Sequence, residues 1–238
     1  RLLVNSEFRQ LLADRIQKHF FNNGALTTTA ATARFQALAD EMDRAIVGES
    51  ARWGDFPQPS SPLTRNDWIK EVNLKLSNYF PYRSEIVLNQ LRSKGLFPSI
   101  TAPVMSSTGG VVTVGSTVIL THANASGAIY YTVDGSDPRA IGGAINSSAI
   151  SYSAPIPIAT SSQVRARVRS GSNWSPAVEA SFYPAQDYSR LLLSELMFNP
   201  PASGATTGDE LEFLELKNAG TNTIDLGGAS FTGTTFQF

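Results

Sequence analysis

The hydrophobic period of this chain changes once, sharply, and that change constrains the fold more than any other feature. Up to about residue 96 the apolar residues recur at helical spacing. From Phe97-Pro98-Ser99-Ile100-Thr101-Ala102-Pro103 onward they come in short alternating runs, separated by Gly, Ser, Asn and Pro. A side chain returns to one face of a helix every 3.6 residues, and to one face of a strand every second residue. One period before residue 97 and the other after it predict a multi-domain α + all-β chain. We expect a small helical bundle over residues 1–100, an antiparallel β-sandwich over 101–185 and a truncated β segment over 190–238. The two main regions are expected to be separate folding units that meet near residues 97–103.

Four helices fit the first region. Asn5-Ser6-Glu7 offers an N-cap and an acidic first turn, and Phe8, Leu12 and Ile16 form the apolar stripe of the first helix. Asn22-Asn23-Gly24 stops it. Thr27 to Thr29 cap the second, whose expected face is Phe35, Leu38, Met42, Ala45 and Ile46 and whose expected end is Gly48. Residues 51–63 read as a proline-rich loop around Trp53. Thr64 caps a third helix with the stripe Trp68, Val72, Leu76 and Tyr79 or Phe80, broken by Pro81. Ile86, Leu88 and Leu91 mark a fourth, ended by Gly95. None buries enough apolar surface alone, so they should pack together.

In the second region Thr117–Thr121, Ile129–Val133, Val164–Val168 and Ala177–Phe182 alternate as half-buried strands do, and Asp134-Gly135-Ser136-Asp137-Pro138 is a dense turn signal. Parity predicts Ile129, Tyr131, Val133, Val164, Ala166 and Val168 in the sandwich core. It turns Tyr130, Thr132, Arg165, Arg167 and Arg169 the other way. Together with Trp174, the residues Tyr130, Arg165, Arg167 and Arg169 form a candidate binding face. That face reads either as a solvated surface or as a docking surface for a sugar, an acidic partner or an adjoining domain. Further on, Arg190–Phe198 and Leu211–Lys217 are strand-like, and another strand-like run ends the chain at Phe238.

No catalytic constellation is apparent. The chain has no cysteine, which excludes disulfides, thiolate metal sites and cysteine nucleophiles. Its two histidines, His19 and His122, have no plausible sequence partners for a triad or a metal and read as structural. Asp134, Ser136 and Asp137 could be taken for calcium ligands, but the further ligands of an EF-hand are missing and a turn is expected. Ser107-Thr108-Gly109-Gly110 lacks the lysine and helix start of a phosphate loop. No cofactor or metal is therefore expected. The net charge of −1 gives no reason to expect nucleic acid, and no apolar run is long enough to span a membrane. The chain opens at Arg1 without a signal-like segment, and reads as a piece of a longer polypeptide.

Three resemblances add to this. Asn5-Ser6-Glu7-Phe8-Arg9, Ala13 through Asn22, Gly24-Ala25-Leu26-Thr27 and Glu49-Ser50-Ala51-Arg52-Trp53-Gly54-Asp55, with Trp68, Tyr79-Phe80 and Arg83, resemble the distal part of the CotH family of spore-coat-type atypical kinases. That family's nucleotide and metal ligands lie upstream, and no position here matches them. Ile129 through Pro138, Tyr152, Pro155-Ile156, Val164 through Val168 and Trp174-Ser175 resemble the Ig-like C-terminal module of chitobiases and β-hexosaminidases, which is not itself catalytic. Leu193 through Pro201, Glu212 through Asn218 and Ile224 through Gly228 resemble the start of a lamin-tail domain, another Ig-like fold whose later strands are absent. The combination implies a secreted or cell-surface bacterial protein.

The expectation is thus a non-catalytic structural or interaction fragment, with adjoining domains of the parent chain as partners and a glycan or an envelope protein as further candidates. One alternative is a carbohydrate-binding accessory module. The other is an accessory portion of a CotH-like phosphotransferase whose catalytic half is absent.

Overall fold

A computed structural model of the chain describes residues 2–232. It has four α-helices followed by several β-sheets. Helix α1 spans Ser6–Phe20, with the Asn5 side chain accepting a hydrogen bond from the Phe8 amide. Helix α2 spans Thr28–Trp53 and is capped by Thr27. Helix α3 spans Arg65–Asn78 and starts in a reciprocal capping box between Thr64 and Asp67. Helix α4 spans Phe80–Ser93, with Pro81 in its first turn, where the missing amide costs nothing. Pro81 therefore opens a helix as much as it closes one.

Two expectations for α2 fail. The helix runs through Gly48 to Trp53, because Gly48 has no left-handed backbone and Gly54 caps the end by donating to the Ser50 carbonyl. Its inward face is Phe35, Ala39 and Ile46, whereas Leu38 and Met42 are more than half exposed. Likewise Ile86 of α4 points outward, and Leu88 and Leu91 point in. Helices α2, α3 and α4 pack on one another, with the Phe35 and Phe80 rings 4.9 Å apart. The apolar stripe of α1 packs instead with α4 and the segment after it: Ala13 and Ile16 join Leu88 and Phe97, flanked by Leu12, Phe20, Phe21 and Leu91.

The β region begins with β1 (Val104–Met105), β2 (Gly110–Val112), β3 (Thr117–Val118), β4 (Leu120–Thr121) and β5 (Ala128–Thr132). It continues with β6 (Ile150–Ser151), β7 (Ile156–Pro157), β8 (Ser162–Ser170), β9 (Asn173–Trp174) and β10 (Val178–Pro184). The largest sheet has the order β2-β10-β8-β5-β6, with β9 folded back on β8. All its pairs are antiparallel except β2 with β10. The pairs β1-β4 and β3-β7 form the facing layer. The single strand expected over Thr117–Thr121 is split at exposed Ile119, so that its halves pair with different partners. Val118, Leu120, Ile156 and Ile158 from one layer meet Ile129, Val164, Ala166, Val168, Ala180 and Phe182 from the other, and this is the core of an Ig-like sandwich. Tyr131 packs against it, as parity predicts. Val133 does not: it lies beyond the end of β5, where the chain enters the 134–138 turn, and is 41% exposed. Thr132, expected to face solvent, is buried under that turn with its hydroxyl donating to the Ser136 carbonyl.

The buried clusters of the helical region and of the sandwich share no residue. After the sandwich, β11 (Leu191–Met197) and β12 (Phe213–Asn218) pair as a two-stranded antiparallel ribbon with a bulge between Leu193 and Glu195. Leu192, Leu193, Leu196, Phe213 and Leu214 of the ribbon are exposed. The segments on either side of the ribbon meet where the Gln186 side chain makes paired hydrogen bonds with the Asp225 backbone. The last residues of the strand-like run expected before Phe238, from position 233 on, lie outside the described residues.

Candidate functional site

Strand β8 is the middle of the large sheet, and both of its faces are covered. Val164, Ala166 and Val168 point into the sandwich, so Arg165, Arg167 and Arg169 project from the opposite face. Tyr130 lies directly across from Arg167, and Trp174 across from Arg169. All five candidate residues therefore share one face, but they are not a solvated row. Arg167 is 1% exposed and Trp174 is 5% exposed. The Trp174 ring meets the Tyr130 ring edge-on at 5.8 Å and lies 5.6 Å from the Arg169 guanidinium, and its indole N–H donates to the Gly143 carbonyl. What covers Arg165 and Arg167 is α1.

The covering is specific. Helix α1 turns its apolar stripe to the helical region and a polar stripe, Glu7, Gln10, Asp14 and Lys18, to the sandwich. Spacings of three and four residues place these side chains on one helix face. Glu7 accepts two hydrogen bonds from Arg139, at 2.5 and 2.8 Å, and a third from the Gly142 amide at 3.1 Å. Gln10 donates to the Ser175 carbonyl at 2.9 Å. Lys18 pairs with Glu179 of β10 at 3.1 Å, where both side chains are well exposed.

Asp14 occupies the centre. Its Oδ1 accepts from Arg167 Nη1 at 2.6 Å and from the Ala177 amide at 2.9 Å, and its Oδ2 accepts from Arg167 Nη2 at 2.6 Å. Arg165 Nη2 lies 3.6 Å from the same Oδ2. On its other side Arg167 donates through Nε and Nη2 to Asp137, at 2.7 and 2.5 Å, and through Nη1 to the Ser175 carbonyl at 3.0 Å. A guanidinium has five N–H donors, and here all five are used. Arg165 also pairs with Asp137, at 3.1 Å. Two arginines and two aspartates thus form a four-charge cluster with no net charge, which is what makes its burial tolerable.

The titration behaviour follows this geometry. Burial alone would make the Arg167 proton easier to lose, but its hydrogen bonds to Asp137 and Asp14 outweigh that and raise its pKa above the ordinary arginine value. Burial pushes the Asp137 carboxyl up, and the Arg167 guanidinium, with help from the Arg139 amide and Arg165, brings it down on balance. Glu7 is lowered to about 2, chiefly by its hydrogen bonds to Arg139 and then by the Gly142 amide.

Sequence reasoning missed Glu7, Gln10, Asp14, Arg139, Ser175 and Ala177 as parts of this site. The signal was the polar stripe on α1, which looks like an ordinary solvated face until a partner is known. Asp137, weighed above as a turn residue or a calcium ligand, accepts from the Arg139 amide as a turn aspartate does and is an arginine partner as well. Asp134 accepts from the Ser136 amide and hydroxyl, as a turn aspartate does. His122 accepts from the Asn124 amide. Among the described residues no cluster of three or more His, Cys, Asp or Glu could hold a metal. Nor is any described helix long and apolar enough to cross a membrane.

No curated protein and no solved structure matches the chain. The arrangement of β5, the 134–138 turn, β8 and the Trp174-Ser175 return belongs to a stretch that a family model does match. Residues 107–179 match the chitobiase/beta-hexosaminidase C-terminal domain, and the sandwich built by this stretch is thus similar to that module.

Proposed function

We propose that this chain is a non-catalytic structural segment of a larger exported or cell-surface protein. In this reading the Ig-like module is an accessory that holds a neighbouring helical unit in a fixed position. One observation carries it: the arginine-bearing face of the sandwich, with Arg167 buried on it, is occupied by α1 of the same chain. A face committed to an internal partner is not offered to a substrate. The match to a module named for chitobiases and hexosaminidases supports an extracellular, carbohydrate-associated setting. The resemblances of residues 1–100 to the CotH family and of 190–238 to a lamin-tail domain fit the same modular parent. A glycan array probed with the intact chain, followed by calorimetry with chitooligosaccharides, tests the proposal. We expect no saturable binding.

A second reading, a carbohydrate-binding accessory, is favoured by one feature. A groove of about 840 Å³ runs between α1 and β10, with Asn22, Lys18, Gln163, Arg165 and Glu179 among its polar lining. Saturable sugar binding lost on Gln163→Ala and retained on Tyr130→Ala would favour that reading and place the sugar in this groove.

A further inference from the structure

The donors around the Asp14 carboxylate all come from the sandwich. Arg167 supplies two N–H groups, Ala177 supplies a backbone N–H, and Arg165 stands 3.6 Å away with its positive charge. Helix α1 contributes the carboxylate alone. The guanidinium plane of Arg167 is fixed from within the sandwich, since Asp137 and the Ser175 carbonyl hold its remaining donors. The site is therefore preorganised by its own module and does not need α1 to shape it. A similar arrangement recurs two helical turns away, where Arg139 and the Gly142 amide, also from the sandwich, receive Glu7. Glu7 and Asp14 are seven residues apart, about 10 Å along a helix.

From this we infer that the outer face of the sandwich is a carboxylate-receiving surface. It is built to take a helix that presents two carboxylates two turns apart, and Glu7 and Asp14 of α1 are its intramolecular occupants. The occupant is α1 itself, recognised by the spacing of its two carboxylates rather than by net charge, and the chemical group received at the central position is a single carboxylate. The inference goes beyond the scaffold reading, and its failure would leave that reading standing, because the two are tested with different ligands.

Charge decides what happens when the occupant is removed. Without Asp14 the cluster keeps Arg165, Arg167 and Asp137 and acquires an uncompensated positive charge. Two donors of Arg167 and the amide of Ala177 then lack an acceptor, and burying such groups unpaired is costly. A small carboxylate should enter the space. Asp14→Ala removes the carboxylate and leaves a β-carbon, so formate is the probe of matching size.

The readout is hydrogen exchange at the Ala177 amide in the full chain. In Asp14→Ala we expect exchange there to accelerate about ten- to a hundredfold, as for loss of one charge-assisted hydrogen bond. Added formate should slow it again in a saturable manner, and chloride at equal ionic strength should not. No slowing by formate, or equal slowing by chloride, would overturn the inference. Should Asp14→Ala not fold, Asp14→Asn keeps the shape and removes the charge. Accelerated Ala177 exchange in folded Asp14→Asn supports carboxylate recognition, and unchanged exchange overturns it.

Discussion

Asp14 and Arg167 lie 153 residues apart in the sequence and are joined by two hydrogen bonds of 2.6 Å, one from each terminal nitrogen of the guanidinium. This contact makes the helical region and the sandwich mechanically continuous. It also shows why separate hydrophobic cores need not mean independent positions. The chain passes from one region to the other near Phe97 and Ile100, which join different clusters. The charged contact runs elsewhere, along the whole polar face of α1.

Arg167→Ala is the direct test of that contact. By sequence parity alone Arg167 should be a cheap surface position beside core Val168. The structure reverses the expectation. Removing the guanidinium leaves the like charges of Asp14 and Asp137 close together with Arg165 as their shared cation and part of their accepting capacity unfilled. We expect a loss of roughly 3 kcal/mol, at the low end for a broken buried pair because both carboxylates retain some exposure. Val168→Ala should cost about 1–3 kcal/mol through lost burial and the cavity left behind. Urea titrations of the two variants should therefore show comparable losses, and a loss near zero for Arg167→Ala would mean that α1 does not dock as described.

Acid should weaken the same interface in a definite order. The Glu7 carboxyl has its value lowered from 4.5 to about 2 by Arg139 and the Gly142 amide. A lowered folded-state pKa means that the unfolded chain takes up the proton first as pH falls. The stabilisation from Glu7 is thus fully present above about pH 4.5 and is lost between there and about pH 2. Asp137, also lowered, contributes in the same sense. Urea midpoints measured from pH 7 downward should fall across this window. In Glu7→Gln the decline should be shallower, since one of the groups that causes it is gone.

The sequence made the class of every long element legible, because each carries a strong period. The stripes Phe8-Leu12-Ile16 and Trp68-Val72-Leu76 turn inward as expected, and so does the Val164-Ala166-Val168 parity. Errors arose where a local signal was outweighed by its surroundings. Val133 has core parity but sits past the last ladder residue of β5, so alternation no longer applies to it. The arginine row was placed correctly on the outer face, and its burial was not foreseeable. Burial there depends on a helix more than a hundred residues away, and no local pattern distinguishes a solvated arginine from one that will meet Asp14. The pairing of Glu7 with Arg139 was hidden for the same reason.

Residues 49–55 carry the cluster most easily mistaken for a nucleotide site. By sequence alone, Glu49 and Asp55 flank Arg52 and Trp53 and read as caps of helix ends that hold Arg52 in place, with Trp53 packed under the loop. Instead the Arg52 guanidinium lies 5.1 Å from the Trp53 ring, Trp53 is 51% exposed, and among the described residues neither carboxylate forms an ion pair or a side-chain hydrogen bond. Phosphoryl transfer needs positioned carboxylates for metal and donors around the phosphates. Calorimetry with magnesium ATP should give no saturable heat, and labelled ATP should leave no phosphoprotein. Micromolar binding abolished by Glu49→Ala or Asp55→Ala would make this segment part of a phosphotransferase site.

Gly48 separates two views of the second helix. If the helix ended there in a left-handed turn, an added β-carbon would be strained and Gly48→Ala would destabilise the protein. The structure instead places Gly48 inside α2, without a positive φ, and an added β-carbon would meet nothing within 4 Å. Glycine in a helix interior costs about 0.5–1 kcal/mol relative to alanine, because the unfolded chain has more freedom to lose. Gly48→Ala should therefore stabilise the helical region by about that amount and slow amide exchange over residues 48–53. Helical content by far-ultraviolet circular dichroism should stay the same, because the turn from Gly48 to Trp53 is already formed. A lower urea midpoint in the variant would instead restore Gly48 as the end of the helix and return Arg52 and Trp53 to the loop.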